Sequence, residues 1–201
     1  MTDPEPFTSP DPAPDALDRI QILGAIGITA LSLFAIAKLW QIVGQVSPLT
    51  LHWSGADFAW GIALGLAITL ASAGLYALWP QYRASTQLYL DLIVKPLVWV
   101  DLIWLGVLPG LSEELLFRGM VLAAFGFGWP TLIVSNLCFG VLHLSNWQQW
   151  PYGLWATIVG LILSLSVVWS GHLLVAVVAH ICTNLFWGGL WKWRSQQNSP
   201  N

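Results

Sequence analysis

The sequence predicts an all-α protein, a polytopic transmembrane helical bundle of about six helices. Hydrophobic residues make up 56% of the 201 and charged residues only 8%, with a mean hydropathy of +0.68, the profile of a chain solvated by lipid. Apolar windows close to the roughly 20 residues needed to span a bilayer recur at 20–43, 58–79, 97–127, 130–144, 152–169 and 173–190. The cations Arg19, Arg83, Lys95, Lys192 and Arg194 fall before the first window, between the second and third, and after the last. An even helix count puts all of them on one face, expected to be cytoplasmic together with the N- and C-termini.

Residues 1–18, rich in Pro and Asp, read as a disordered acidic tail. The tail lacks the basic start of a secretory signal, and the first apolar run is too long for a signal core, so helix one is expected to persist in the mature, multi-pass protein. Residues 19–90 then supply two transmembrane helices and their connecting loops. Gly61 and Gly65 form a GxxxG on the second helix, a packing device rather than a chemical one. The third window carries Pro109, which predicts a kink or break near mid-helix. The fourth window is the shortest. Trp79, Trp129, Trp147, Trp150, Trp187, Trp191 and Trp193 lie near helix ends, as interfacial anchors do. Cys138 and Cys182 sit in apolar segments and read as packing residues.

Polar chemistry is concentrated in residues 91–194. Between residues 102 and 191 the only Asp, Glu, Lys or Arg side chains are Glu113, Glu114 and Arg118, inside LPGLSEELLFRGMVL. Each costs roughly 2.5–3.5 kcal/mol to insert at mid-membrane, so each needs a partner or a watery cavity. On a helix Glu114 and Arg118 share a face, whereas Glu113 is rotated about 100° from Glu114. A buried ion-pair network that fixes helix register would account for Glu114 and Arg118 but leaves Glu113 alone. Partners for it are offered by Phe139 and His143, one turn apart at the end of helix four, and by His180 and Asn184, one turn apart on helix six. His172 reads as an interfacial or capping residue, and His52 lies in a loop beside Trp53.

Glu113-Glu114-x-x-x-Arg118, Phe139-x-x-x-His143 and His180-x-x-x-Asn184 resemble, in order and spacing, the three motifs of CPBP intramembrane proteases. That family includes the type II CAAX prenyl endopeptidases and the Abi-like bacteriocin-processing or self-immunity proteins. The resemblance covers about residues 95–191 and marks 91–194 as a catalytic transmembrane core. It implies an integral membrane endopeptidase in which Glu113 and His143 polarise the attacking water while His180 and Asn184 stabilise the oxyanion. Glu114, Arg118 and Phe139 would support these groups from behind. The donor set also leaves a metalloprotease variant open, with zinc held by Glu113, His143 and His180.

The partners implied are membrane lipid and a peptide or protein substrate, with a lipid-modified one within the family's range. The net charge of -3 gives no sign of nucleic acid. No H-E-x-x-H, G-x-S-x-G or G-x-G-D is present, which disfavours zincin, serine and aspartyl mechanisms, and no phosphate-binding glycine loop supports nucleotide-driven transport. Two competing readings are a non-catalytic membrane scaffold or immunity-type binding protein of the same fold, and a proton relay. The relay would need its groups spread along the membrane normal.

Overall fold

The computed structural model describes residues 17–197, so the expected tail falls outside the described residues except for Leu17 and Asp18. Among the described residues seven helices of ten residues or more follow in order: α1 (Arg19–Gly44), α2 (Gly55–Leu78), α3 (Pro80–Tyr89), α4 (Asp101–Glu114), α5 (Trp129–Leu142), α6 (Trp150–Ser170) and α7 (Leu174–Gln197). Four of them, α6 together with the single 3-10 turn Trp147–Gln149 before it, are long and apolar enough to cross a membrane: Arg19–Gly44, Gly55–Leu78, Trp147–Ser170 and Leu174–Gln197. Their outward faces carry bare aliphatic side chains such as Ile28, Leu31 and Leu70, as lipid-facing helices do. The protein is thus an integral membrane helical bundle.

Helix α1 starts in a capping box, with Asp18 Oδ1 accepting from the Gln21 amide at 2.8 Å and Gln21 Oε1 accepting from the Asp18 amide at 2.9 Å. Its first residue is tied to the start of α4 by a two-pronged contact, Arg19 Nε and Nη2 on Asp101 Oδ2 and Oδ1 at 2.7 and 2.8 Å. Helix α2 lies along α7, and the GxxxG is what lets it approach. A Cβ at Gly61 would come within 2.6 Å of Val178 Cβ, and one at Gly65 within 2.7 Å of Cys182 Cβ and 2.8 Å of the Ala179 carbonyl. Cys138 and Cys182 are both free thiols.

Helix α3 is an addition to the six expected windows, in a stretch that reads as loop by hydropathy. It starts on Pro80 and buries Tyr82, Ser85 and Thr86 while Gln81, Arg83 and Ala84 face out, a helical period written in polar and small residues. Such a helix contains no membrane-length apolar run. One π-helical turn, Leu90–Val94, extends it.

Helix α4 also departs from expectation. It runs through Pro109 without a break, and the irregularity comes later, where Leu115–Val121 is π-helical before a last turn, Leu122–Phe125. Proline removes the N–H that would bond to the carbonyl four residues back, here that of Leu105. That carbonyl instead accepts from Asn184 Nδ2 of α7 at 3.4 Å. Gly106 and Gly110 bring the same two helices together, since a Cβ at either would meet Leu185 or Ile181 at 2.9 and 2.5 Å.

Helix α5 begins with Pro130 in its first turn, and at 14 residues it is about 21 Å long, less than the roughly 30 Å hydrocarbon layer. It stops at His143, whose φ of -88° and ψ of 1° turn the chain out of the helix. The following segment is pinned to α3, with Ser85 Oγ donating to the Gln149 carbonyl at 3.2 Å. The short helix leaves a recess at its His143 end, closed on one side by α1.

Candidate active site

The two carboxylates leave α4 in different directions and meet different fates. Glu114 is fully buried, and its Oε1 accepts both from Arg118 Nη1 at 3.0 Å and from His180 Nδ1 at 2.8 Å. Arg118 is equally buried. Its Nη2 donates to Asn136 Oδ1 at 2.9 Å and to the Gly160 carbonyl at 2.8 Å, and its Nε donates to Ser164 Oγ at 3.2 Å. One guanidinium therefore fastens α4 to α5 and α6. Such a charge survives in an apolar bundle only because its donors are met. The ring of Phe139 covers it, with Cζ 4.5 Å from the ring centroid.

Glu113 turns the other way. Its Oε2 is buried without a hydrogen-bond partner and lies 3.9 Å from the Nε2 atoms of both His143 and His180. The two rings are fixed from behind. His143 Nδ1 is 2.7 Å from the Phe139 carbonyl, which can only accept, so Nδ1 carries the proton and Nε2 offers a lone pair. His180 Nδ1 is held in the same way by the Glu114 carboxylate. Two imidazole lone pairs and a carboxylate oxygen with no partner thus converge on one spot, and the separations are too long for direct hydrogen bonds and wide enough for a small bridging group.

Around that spot is a cavity of about 570 Å³, lined by Glu113, His143, His180 and Asn184 together with Phe139 and Tyr152. One wall comes from outside residues 91–194, since Ala25, Thr29, Ala30 and Leu33 of α1 face into it. The structure brings Glu113, His143, His180 and Asn184 to this one cavity, with Asn184 spending its Nδ2 on the long contact to Leu105. Glu114 and Arg118 lie behind, and Phe139 both lines the cavity and covers the guanidinium.

Zinc suits the donors by type but not by spacing. A tetrahedral shell with bonds of about 2.1 Å has ligand-to-ligand edges of about 3.4 Å. The two edges at Glu113 are 3.9 Å, and among the described residues no three His, Cys, Asp or Glu side chains close into a metal cage. As arranged, the set is the wrong size for the ion.

Several members of the network escape a reading by motif. Asn136 lies three residues before Phe139 and seven before His143, the same helical face, and an amide in an otherwise apolar run is the signal that marks it; the structure buries it to 1% exposure. Ser164 and Gly160 have no such signal, because small residues are common in membrane helices. Gly160 is nonetheless required, since a Cβ there would meet Asn136 Oδ1 at 2.7 Å, Arg118 Nη2 at 2.9 Å and Phe139 Cδ1 at 3.1 Å. Tyr89 and Tyr152, stacked with centroids 5.2 Å apart, line the cavity from α3 and α6. Away from it, His172 Nε2 is 3.1 Å from Asp57 Oδ2 and His52 packs against the His172 ring, so these two histidines join the starts of α2 and α7.

Comparison with known proteins bears on the same segment. The chain is 25% identical over 145 residues to the uncharacterized protein YpbD of Bacillus subtilis (strain 168), covering 72% of this chain and 69% of the relative. It is 27% identical over 171 residues to an uncharacterized 24.3 kDa protein of Escherichia coli, covering 79% and 74%. It is 29% identical over 93 residues to the UPF0177 protein YxdF of Lactococcus lactis subsp. lactis (strain IL1403), covering 44% and 48%. No solved structure matches it significantly. Residues 95–186 match the family described as Type II CAAX prenyl endopeptidase Rce1-like, and this matching segment holds Glu113, His143, His180 and Asn184.

Proposed function

We propose that this protein is an intramembrane endopeptidase of the CAAX-protease kind, hydrolysing a peptide bond with a water activated by Glu113. The observation that carries the reading is the buried Glu113 Oε2 without a partner, 3.9 Å from two imidazole nitrogens. A water between Glu113 and His143 would donate one proton to the carboxylate and one hydrogen bond to the His143 lone pair. Its oxygen attacks the substrate carbonyl carbon, Glu113 takes the proton, and the carbonyl oxygen becomes the oxyanion. Glu113 then returns that proton to the departing amine.

The oxyanion needs donors. Asn184 Nδ2 is one, since its 3.4 Å contact with Leu105 is long enough to yield to a better acceptor. His180 serves as the other in the form that has taken a proton from solvent at Nε2 before the attack, and the Glu114 carboxylate on Nδ1, 2.8 Å away, balances the resulting charge. Residues 91–194 form the catalytic core in this reading, with α1 as an added wall. The basic end of the bundle, marked by Arg19, Arg83, Lys95, Lys192 and Arg194, faces the cytoplasm with both termini. The substrate is a peptide or protein segment, lipid-modified or plain.

The test is cleavage of a quenched fluorescent peptide library, with and without a farnesyl-cysteine near the C-terminus, by the protein in proteoliposomes. Wild type is expected to cleave members of at least one set and Glu113→Gln none. Equal cleavage by both would overturn the assignment, and binding of a peptide by wild type and variant alike without cleavage would favour the scaffold reading.

A further inference from the structure

A second recess, of about 650 Å³, lies at the basic end of the bundle between the C-terminal turn of α2, the π turn after α3 and the last turns of α7. Its rim holds three cations, Lys95, Lys192 and Arg194, against one carboxylate, Asp91. Asp91 is already engaged: Gln87 Nε2 donates to its Oδ1 at 3.1 Å, and Tyr76 donates to Gln87 Oε1 at 2.7 Å. Lys192 is buried to 9% exposure, and its Nζ donates to the Val94 carbonyl at 3.4 Å, which leaves further donors for a guest. The side chains of Lys95 and Arg194 are exposed and make no hydrogen bond or ion pair among the described residues. The floor is apolar, made of Leu90, Trp187, Leu190 and Trp191.

We propose that this recess binds a phosphate-bearing anion, the headgroup of an anionic phospholipid. A volume of several hundred Å³ is that of a small-molecule site. Three cations facing one spent carboxylate leave a net attraction for a divalent or monovalent phosphate. Tryptophans mark the depth at which lipid headgroups lie, and basic pockets between membrane helices are suited to them. A free phosphoester would use the rim alone, whereas a lipid would use both the rim and the floor of Leu and Trp. Leu90 and Trp187 also line a small cavity of about 90 Å³ that reaches His180 and Asn184, so an occupant stands one layer of side chains from Glu113's cavity.

The experiment is native mass spectrometry of the delipidated full chain in detergent micelles, titrated with phosphatidylglycerol or phosphatidylcholine. Wild type is expected to retain one phosphatidylglycerol with at least tenfold preference over phosphatidylcholine. Lys95→Gln with Arg194→Gln should abolish that preference, and the charge-keeping pair Lys95→Arg with Arg194→Lys should restore most of it. Persistence of the lipid in millimolar glycerol 3-phosphate assigns the headgroup as the source, whereas displacement keeps the phosphate site and makes a soluble phosphoester its ligand. No preference in wild type, or an unchanged preference in the neutral double variant with an unaltered melting temperature, overturns the proposal.

Discussion

Glu114 and His180 are joined across the interface of α4 and α7 by a 2.8 Å hydrogen bond that ends on the same carboxylate oxygen Arg118 uses at 3.0 Å. One oxygen atom thus holds both the structural cation and the ring that faces Glu113. The adjacent glutamates consequently differ in what their loss should do.

Glu114→Gln removes the counter-charge of a fully buried guanidinium, a change worth about 3–5 kcal/mol. The melting temperature in detergent should fall by on the order of 10 °C. Glu113→Gln breaks no hydrogen bond at Oε2 and should melt within about 2 °C of wild type while turnover drops by at least about 10²-fold. Equal thermal losses for the two would refute this division of labour.

Gly160→Ala places a methyl where Asn136, Arg118 and Phe139 already meet. Overpacking of this kind costs about 1–3 kcal/mol, and the Phe139 shift it forces should carry His143 with it. Lower melting temperature together with at least a tenfold loss of turnover is expected; a variant that matches wild type in both would show the network to be slack.

Gly65→Val should separate α2 from α7, because the new side chain meets Cys182 and the Ala179 backbone. Gly74→Ala, on the same helix with nothing within 4 Å of its Cβ, is the control and should be neutral. A destabilisation of about 1–3 kcal/mol confined to Gly65→Val is the expected result in chemical unfolding. Comparable destabilisation by both would mean that close contact at Gly65 does not set the effect, since helix propensity favours both replacements over Gly.

The 3.9 Å edges at Glu113 suit a bridging water better than zinc. Peptidase activity should therefore stay within about twofold after exhaustive treatment with 1,10-phenanthroline. Loss of activity restored by stoichiometric zinc would show that the site contracts around the ion.

Much of the bundle is legible in the sequence because lipid imposes a simple rule: long apolar runs become helices, and their ends fall near those of α1, α2 and α6, while α7 continues past residue 190 to Gln197 through polar residues that hydropathy does not count. Helix α3 is illegible by that rule, since Tyr82, Ser85 and Thr86 bury a face without being aliphatic. Pro109 misleads because its effect depends on Asn184, 75 positions along the chain, which takes up the Leu105 carbonyl. At the site, charged residues stand out against an apolar background, so Glu113, Glu114 and Arg118 are visible at once. Ser164 and Gly160 are not, because what matters is an oxygen or a missing Cβ at a particular point in space. The π stretch at Leu115–Val121, in the segment that carries Arg118, has no signature in residue type at all.

Arg118 also constrains how the protein is made. Its partners beyond α4 are Asn136, Gly160 and Ser164, all encoded downstream, the farthest 46 residues later. When α4 leaves the ribosome α1 is already there to pack against it, but its cation has only Glu114 as a polar partner, and an under-satisfied buried charge is poorly retained in lipid. A nascent chain stalled before residue 160, which lacks the α6 partners of Arg118, should therefore hold α4 in the bilayer less firmly than the full chain, while α1 and α2 stay inserted.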